Sequence, residues 1–299
     1  MSRHILYIIN PISGTGVKKD LQQLIEEKTR EKRIPFRIIS SVVSGDYSFL
    51  HKTIKDEKIS DIVIAGGDGT VSQVVGSLMD LHLNFGIIPC GSGNGLAFAA
   101  KIPKQPVKAL EIIFSKKASA IDGFYINDRF ACMLAGLGFD AKVAHDFTNE
   151  PKRGLFTYVK LSMKNFFLMK PHRFELKMEN VKLETEAFFI SIANSNQFGN
   201  NFTIAPKASL SDGFLDIVIV TNQNKVSFIL QTLRQLAGWN KLQTSSLIQQ
   251  KKGVIYFQTD KLEIINHSQA PLHIDGDPAE TPERLVIKVK KKCFRLIQP

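Results

Sequence analysis

Apolar and polar positions in the first half of the chain follow the rhythm of strands alternating with helices. Short apolar runs predict four strands, at residues 5–10, 36–41, 62–65 and 85–89. Helical spacing of apolar residues between and after them predicts helices at 17–32, 47–56, 70–81 and 106–116. Strict alternation is typical of a doubly wound α/β domain with a mostly parallel sheet. In such a sheet, ligands bind beyond the carboxyl ends of the strands.

The pattern changes after residue 122, where short strands dominate. They are predicted at 123–126, 129–135, 174–178, 186–193, 214–220, 253–259, 261–266 and 284–290, with helices at 154–169 and 225–239. Many short strands with turn residues between them predict a mostly antiparallel β-sandwich with inserted helices. We therefore expect an α/β nucleotide-binding domain over 1–122 and a β-sandwich lipid-binding domain over 123–299. The C-terminal end of the second domain could pack back on the first.

Composition and charge limit the classes of binding partner that we expect. The 299 residues carry a formal net charge of +11, which suits nucleic acid, an anionic membrane surface or a phosphorylated small molecule. No helix-turn-helix, zinc-finger or RNA-binding signature accompanies the charge, so we expect no nucleic-acid partner. Three widely spaced cysteines form no disulfide or metal-ligand pattern. No apolar run approaches the roughly 18–20 residues that cross a bilayer. We expect a cytoplasmic protein.

Three glycine-rich turns follow predicted strands of the first domain. They are residues 10–16 (Asn-Pro-Ile-Ser-Gly-Thr-Gly), 66–70 (Gly-Gly-Asp-Gly-Thr) and 90–95 (Cys-Gly-Ser-Gly-Asn-Gly). Glycine lets the backbone approach a phosphate closely, and the helix that follows presents N–H groups at the positive end of its dipole. Three such loops at one sheet edge predict a polyphosphate site. Ser13, Thr70, Ser92 and Asn94 would add hydrogen-bond donors.

The common nucleotide fingerprints do not fit these loops. The chain has no Gly-x-x-x-x-Gly-Lys-Ser/Thr string, and the first loop lacks the third glycine of a dinucleotide site. Asp68 lies between glycines, where a carboxylate close to phosphates suits metal binding or proton transfer. The alternative is that Asp68 caps the helix that begins near Thr70.

Two acidic turns are the candidate chemistry of the second domain. They are residues 211–216 (Ser-Asp-Gly-Phe-Leu-Asp) and 273–278 (His-Ile-Asp-Gly-Asp-Pro). Asp-Gly is common hairpin chemistry, so each turn alone could be structural. The second turn has Asp275 and Asp277 on either side of a flexible glycine. A carboxylate that accepts a hydroxyl proton during phosphoryl transfer would suit such a turn.

Further motifs follow in order along nearly the whole chain. The full set is residues 10–14, 66–70, 89–94, 135–141 (Ala-Gly-Leu-Gly-Phe-Asp-Ala), 192–194 (Ile-Ala-Asn), 204–206 (Ile-Ala-Pro), 211–216 and 275–277. In this order they resemble the diacylglycerol kinase catalytic domain family. That family includes bacterial soluble lipid kinases, sphingosine kinases and ceramide kinases.

The resemblance implies an ATP- and Mg²⁺-dependent lipid kinase that transfers the γ-phosphoryl group to the hydroxyl of a diacylglycerol-like lipid. The ATP-binding residues it implies are Asn10, Pro11, Ser13, Gly14, Ser41, Gly66, Gly67, Asp68, Gly69, Thr70, Ser72, Gly91, Ser92 and Asn94. It also implies a magnesium ion held by the carboxylate of Asp212 and the backbone carbonyls of Ser209 and Phe214. Asp277 stands where the family has the glutamate that accepts the proton, and its side chain is shorter by about 1.5 Å. Asp68 is the second candidate catalytic acid.

Three other functions stay open. Residues 91–95 (Gly-Ser-Gly-Asn-Gly) resemble the sphingosine and ceramide kinase branch, which points to a sphingoid-base or ceramide-type lipid kinase. NAD kinases share a Gly-Gly-Asp-Gly-Thr loop and would phosphorylate a soluble ribose hydroxyl. A nucleotide- or lipid-binding relative without catalysis is the third alternative, because Asp277 departs from the family pattern.

Basic residues surround the apolar stretch 155–169. They are Lys152, Arg153, Lys160, Lys164, Lys170, His172 and Arg173. A basic amphipathic helix of this kind can lie on anionic lipid. It can equally pack on the β domain with a solvated basic face. We expect peripheral contact with an anionic membrane surface, and the sequence leaves a homodimer open.

Overall fold

The computed structural model describes residues 3–13, 18–150, 155–179, 181–197, 203–243, 248 and 253–299. The chain divides into two compact units. The first consists of Met1–Ile121 with Lys292–Pro299, and the second is Asp122–Lys291. The first unit therefore contains both ends of the chain.

A parallel sheet forms the centre of the first unit. Its strands are β1 (Ile5–Ile9), β2 (Phe36–Ser40), β3 (Asp61–Gly66) and β4 (Asn84–Pro89), in the order β4-β3-β1-β2. The last residues of β15 (Arg284–Ile297) add a parallel strand beside β4. Every residue of β1 and β3 is buried, which is typical of a parallel sheet covered on both faces.

Helices connect these strands. They are α1 (Lys18–Glu31), α2 (Leu50–Asp56), α3 (Asp68–Leu78), α4 (Gly95–Ala99) and α5 (Pro106–Ser115), with a 3₁₀ turn at Met79–Leu81. The predicted doubly wound α/β fold is confirmed. α2 begins three residues later than predicted, after a turn in which Asp46 accepts hydrogen bonds from the backbone and the hydroxyl of Ser48. The short helix α4 was not predicted.

The strands of the second unit are antiparallel, as predicted. They are the end of β5 (Ala118–Ile126), β6 (Arg129–Ala131), β7 (Leu134–Gly138), β8 (His172–Met178), β9 (Val181–Ala193), β10 (Leu215–Thr221), β11 (Val254–Thr259), β12 (Lys261–Asn266), β13 (Leu272–Ile274), β14 (Asp277–Ala279) and the first part of β15.

The long strand β9 organises this unit. Residues 181–187 of β9 pair with β8, whereas residues 189–193 pair with β7 on one side and with β10 on the other. The strands therefore branch at β9 into the two layers of a sandwich. The core between them is aliphatic and aromatic, with Phe124, Ile190, Phe257 and Ile287 at most 2% exposed. The predicted β-sandwich is confirmed.

The structure divides the predicted strand 129–135 into β6 and β7. The break falls at Cys132 and Met133, whose backbone N–H groups donate to the Asp275 carboxylate instead of to a neighbouring strand. Three helices complete the unit: α6 (Phe139–Thr148), α7 (Leu155–Leu168) and α8 (Lys225–Leu236). α6 was not predicted. Within the described ranges, no helix combines the length and the apolar character needed to span a membrane.

Candidate functional site

The sheet of the first unit brings the predicted loops to one edge. Because its strands are parallel, the residues that follow β1, β2, β3 and β4 lie at the same edge. The predicted ATP-binding residues after β1 and β2 are Asn10, Pro11, Ser13 and Ser41. Those at the end of β3 or after β3 and β4 are Gly66, Gly67, Asp68, Gly69, Thr70, Ser72, Gly91, Ser92 and Asn94. Gly14 lies outside the described residues.

The second and third loops touch backbone to backbone. A Cβ at Gly91 would lie 2.5 Å from the Cα of Gly67, and a Cβ at Gly67 would lie 3.2 Å from the Cα of Gly91. A real Cβ cannot approach another Cα to 2.5 Å, so this packing requires glycine at residue 91, whereas at residue 67 a Cβ would make a tight contact that a small shift could relieve. These glycines therefore set the spacing of the loops as well as leaving room for a phosphate.

A side-chain hydrogen bond links the first loop to the second. The amide of Asn10 donates to the Thr70 hydroxyl at 2.8 Å. The carbonyl oxygen of the same amide accepts the backbone N–H of Ile12 at 3.0 Å, and the Ser13 hydroxyl donates to the backbone carbonyl of Asn10 at 3.2 Å. In the strand order β4-β3-β1-β2, the chain runs from β1 outward to β2 in one direction and from β3 outward to β4 in the opposite direction. Asn10 thus bridges the point where the strand order reverses, which is where ligands bind in open α/β sheets.

Asp68 stabilises the third loop. Its carboxylate accepts the backbone N–H groups of Gly95 at 3.0 Å and Leu96 at 3.1 Å, the first two residues of α4. α3 begins at Asp68 itself, after Gly67, and no side chain caps it. Asp68 therefore caps a helix, but a different one from the alternative considered above. Because the first N–H groups of α4 are occupied, we expect a phosphate at the N-terminus of α3.

Asn94 is used within its own loop. Its backbone is left-handed (φ 58°), its amide donates to the carbonyl of Gly91 at 2.7 Å, and its side-chain oxygen accepts the Gly91 N–H at 2.8 Å. Thr70 and Ser72 are 8% exposed. Ser92 is half-buried. Among the predicted donors, Asn94 thus has a structural task that the sequence pattern did not indicate.

In the second unit, Asp275 and Gly276 form the two-residue turn between β13 and β14. Both have positive φ (49° and 86°), as the common two-residue hairpin turn requires, and Ile274 pairs with Asp277 across it. The carboxylate of Asp275 is buried and accepts three backbone N–H groups, those of Cys132 (3.0 Å), Met133 (3.0 Å) and Leu134 (2.9 Å). Asp277 is exposed at the start of β14.

A buried histidine supports the same hairpin. Nδ1 of His273 lies 3.3 Å from the N–H of Gly276 and accepts it, so Nε2 carries the proton of the neutral ring and faces Asp140 Oδ2 at 3.4 Å. A Cβ at Gly136 would lie 2.0 Å from that Asp140 oxygen and 2.6 Å from His273 Nε2. Sequence reasoning quoted Gly136 and Asp140 within residues 135–141 but gave them no role. No sequence signal pairs Gly136 with His273, because the two lie opposite each other only once β7 and β13 are paired.

The turn at Asp212 is the predicted magnesium position. One oxygen of Asp212 accepts the N–H of Phe214 at 3.0 Å, and the carboxylate is exposed. Buried Asp122 fixes the turn by accepting the N–H of Gly213 at 2.7 Å, while its own N–H donates to the carbonyl of Leu210 at 2.7 Å. Asp122 was missed from the sequence because it is the last residue of the first predicted domain, outside any motif.

Oxygen ligands are what magnesium prefers, so the Asp212 carboxylate and the carbonyls of Ser209 and Phe214 fit the ion chemically. Over the part of the chain that the structure describes, no group of three or more His, Cys, Asp or Glu side chains is placed to hold a metal. A single carboxylate combined with backbone carbonyls is a different kind of site and is compatible with that finding.

Besides Asp122, the buried carboxylate of Asp216 also lies close to Asp212. The hydroxyl of Tyr256 and the amide of Gln258 both donate to Asp216, the amide at 3.0 Å. Burial raises the pKa of Asp216 to about 6, although these hydrogen bonds act in the opposite direction; the negative charge of Asp212 adds to the rise. Burial and the bond to Asp216 also raise the pKa of the Tyr256 hydroxyl.

Comparison with known proteins covers both units. The family model described as the diacylglycerol kinase catalytic domain matches residues 4–126, which include the three glycine loops. The model described as the YegS C-terminal NAD kinase beta sandwich-like domain matches residues 134–298, which include both acidic turns. The chain belongs to the diacylglycerol kinase family of lipid kinases.

Individual relatives agree with this assignment. Diacylglycerol kinase from Bacillus subtilis is 25% identical over 276 residues, covering 90% of this chain and 88% of the relative. The protein named "Probable lipid kinase YegS-like" from Chromohalobacter salexigens is 27% identical over 240 residues, covering 78% and 75%. A crystal structure of a diacylglycerol kinase from Bacillus anthracis str. Sterne has a TM-score of 0.74, 18% identity and coverage of 99% and 97%. That likeness shows the shared fold of this kinase family.

Proposed function

We propose that the protein transfers the γ-phosphoryl group of ATP to the hydroxyl of a diacylglycerol-like lipid, with Mg²⁺ as the metal. The observation that carries this proposal is a hairpin with two acids in different surroundings, one buried and one exposed. Asp275 is buried and accepts three N–H groups, so its carboxylate holds the turn. Asp277, two residues later, is exposed on the turn that Asp275 holds. A fixed turn with an exposed carboxylate suits the acceptance of a proton from an alcohol.

ATP is assigned to the loops of the first unit. The close packing of Gly67 on Gly91 and the bond from Asn10 to Thr70 hold three loops at one sheet edge through contacts within the protein. Preorganised backbone N–H groups at the start of α3 would then bind phosphate oxygens without reorganisation. Asp68 would act mainly by holding α4, since both of its oxygens accept backbone N–H groups.

Magnesium is assigned to Asp212, with the carbonyls of Ser209 and Phe214. When bound, the ion would neutralise charge on the phosphates. The protein's own contribution is to hold the turn, through the bond from Gly213 to Asp122, so that the Asp212 carboxylate stays exposed.

NAD kinase is the second candidate, because the description of the second family model likens that domain to NAD kinase. The lipid assignment is favoured by the match of the first unit to the diacylglycerol kinase model and by the names of the relatives. Sphingoid bases and ceramide are alternative lipid substrates.

The test incubates the purified protein with Mg²⁺, γ-labelled ATP and one acceptor at a time: diacylglycerol, a sphingoid base, ceramide or NAD. We expect labelled phosphatidic acid. A labelled sphingoid or ceramide product would change the substrate, labelled NADP would replace the proposal, and ATP binding without any labelled product would indicate a relative without kinase activity.

A further inference from the structure

The helix α8 exposes an apolar stripe. Val226, Ile229, Leu230 and Leu233 are spaced i, i+3, i+4, i+7, and each is 46–69% exposed. In a globular protein this spacing normally marks the side of a helix that packs on the core. Here the stripe faces outward, which requires a reason.

The inner face of α8 is fixed, so the orientation is built into the fold. Gln235 is fully buried; its amide donates to the carbonyl of Ile204 at 2.8 Å, and its oxygen accepts from Asn240 at 3.0 Å. Phe228, also buried, packs its ring 5.5 Å from the rings of Phe166 and Phe188. Rotating α8 to bury the apolar stripe would break these contacts and bring Gln235 into solvent.

α7 lies beside α8 and continues the exposed surface. Lys225 at the start of α8 donates to the carbonyl of Phe167 at 3.0 Å. α7 is in turn held by buried Asn165, whose amide donates to Asp146 at 2.9 Å. The α7/α8 surface consists of the exposed apolar residues Met163, Phe167, Leu168, Val226, Ile229, Leu230, Leu233 and Trp239 and the exposed basic residues Lys160, Lys164, Lys225 and Arg234.

The charged residues of the α7/α8 surface itself are all basic, and the neighbouring Asp146 of α6 is partly buried and accepts hydrogen bonds from Lys142 and Asn165. Neither helix contains an aspartate or glutamate. Lys160 and Lys164 lie on the same side of α7 as Met163 and Phe167, because positions i, i+3, i+4 and i+7 share one face. Basic side chains around exposed apolar ones are the composition of interfacial helices, whose apolar residues enter the acyl boundary while lysine and arginine reach the lipid head groups. The exposed Trp239, just beyond α8, fits the same interface.

We propose that the α7/α8 surface docks on an anionic lipid bilayer, with the apolar stripe of α8 as its inserting element. This proposal rests on the proposed function in that a lipid alcohol must be taken from a bilayer. It adds α8 to the basic stretch of α7 that the sequence indicated, and it assigns insertion to Val226, Ile229, Leu230 and Leu233.

A second copy of the chain fits this surface less well. A twofold dimer would place the same patch on both sides of the interface. Lys160, Lys164 and Arg234 would then face the same basic and apolar patch of the second copy, with no acid from either helix to pair with them. An anionic bilayer supplies the complementary charge.

The test measures co-sedimentation with large unilamellar vesicles, without ATP and without any lipid alcohol in the vesicles. We expect binding to phosphatidylcholine vesicles that contain phosphatidylglycerol, weaker binding in high salt, and little binding to pure phosphatidylcholine. Because no phosphoryl transfer is involved, binding can succeed even if the kinase assignment fails. Phosphorylation of a dispersed short-chain diacylglycerol tests the kinase assignment separately.

Two variant pairs with matched controls locate the surface. Leu230→Glu with Leu233→Glu should lower the partition coefficient more than about ten-fold. Val43→Glu with Val107→Glu, at two exposed apolar residues of the first unit, adds the same two negative charges and should have little effect. Lys160→Glu with Lys164→Glu should also lower it by more than about ten-fold, while Lys52→Glu with Lys55→Glu on α2 changes net charge equally and should have little effect. Unchanged melting temperatures would show that each variant is folded.

Absence of wild-type binding to anionic vesicles would overturn the proposal. So would variants of the α7/α8 surface that bind as tightly as the wild type. A wild-type dimer that Leu230→Glu with Leu233→Glu dissociates, without vesicle binding in either form, would assign the surface to a second copy instead.

Discussion

At the scale of single residues, the clearest contrast is between Asp275 and Asp277. They lie two residues apart in one hairpin, yet Asp275 is 4% exposed with three backbone N–H donors and Asp277 is exposed. The three N–H donors already occupy the Asp275 carboxylate, whereas Asp277 lies at the surface. The two acids are therefore separable by mutation.

We expect Asp277→Asn to abolish turnover with little loss of ATP affinity, since the amide cannot accept the hydroxyl proton. Asp277→Glu keeps the carboxylate and should retain turnover. Steady-state kinetics together with calorimetric ATP binding checks both variants. Turnover of Asp277→Asn equal to that of the wild type would remove Asp277 from the role of base.

Asp275→Ala should instead lower the stability of the fold. It leaves three buried N–H groups without their acceptor, so we expect the free energy of unfolding to fall by about 3 kcal/mol or more. Asp277→Ala, at an exposed position of the same turn, should change it by less than about 0.5 kcal/mol. Urea denaturation measures both. Equal small effects would mean that the Asp275 hydrogen bonds contribute little.

Asp216 should make stability depend on pH. Its pKa is about 6 in the folded protein, against an ordinary value of 3.8, so the folded state holds this proton more tightly than the unfolded state. Its contribution to the free energy of unfolding is therefore largest below pH 4 and is lost as the pH rises through 6, by on the order of 3 kcal/mol. Urea denaturation gives the free energy of unfolding of the wild type and of Asp216→Asn at each pH. The wild-type value minus the variant value should decline between pH 4 and 6. A difference that does not change with pH would contradict the raised pKa.

At the scale of elements, the glycine loops of the first unit behave as one interlocked set. Gly91→Ala places a Cβ 2.5 Å from the Cα of Gly67, and backbone cannot move aside as a flexible side chain can. We expect at least about ten-fold weaker ATP binding, because the loops must separate. Gly67→Ala meets Gly91 at 3.2 Å and should have a smaller effect. Calorimetry measures the ATP affinity of both variants. A larger loss of affinity in Gly67→Ala than in Gly91→Ala would contradict the packing argument.

Much of the element pattern was predictable because strand and helix periods differ. The alternation in the first unit predicts its parallel sheet, and the structure has strands at all four predicted places. The break between β6 and β7 was not predictable, since it depends on hydrogen bonds that Cys132 and Met133 donate to Asp275, more than 140 residues away in sequence. The outward stripe of α8 was likewise hidden, because the same spacing would suit a helix packed on the core. Long-range contacts decided both cases.

The candidate site shows the same division. The sequence indicated Asp68, Asp212 and Asp277, because glycines or acids beside them form recognisable turns. It did not indicate Asp122, Asp140 or His273, whose roles depend on what lies opposite them: the N–H of Gly213 for Asp122, and each other for Asp140 and His273. Local motifs indicate acids that lie in glycine-containing turns, whereas buried Asp122, Asp140 and His273 acquire their roles only once the strands are paired.

At the scale of the whole molecule, the two units carry separate tasks in the proposed reaction. The first unit supplies a preformed edge of glycine loops for ATP, and the second supplies the acidic turns at Asp212 and Asp277. The chain belongs to the diacylglycerol kinase family through both units. The net charge of +11 would suit the proposed anionic partners, a nucleotide and a lipid surface.

The most direct test of the central claim is transfer of label from γ-labelled ATP to diacylglycerol in mixed micelles with Mg²⁺, comparing the wild type with Asp277→Asn. We expect labelled phosphatidic acid from the wild type and at least about a hundred-fold less from Asp277→Asn, since a positioned base contributes roughly 10²–10⁴-fold to the rate. No labelled lipid from a wild-type protein that binds ATP, or label found only in NADP when NAD is offered, would contradict the account.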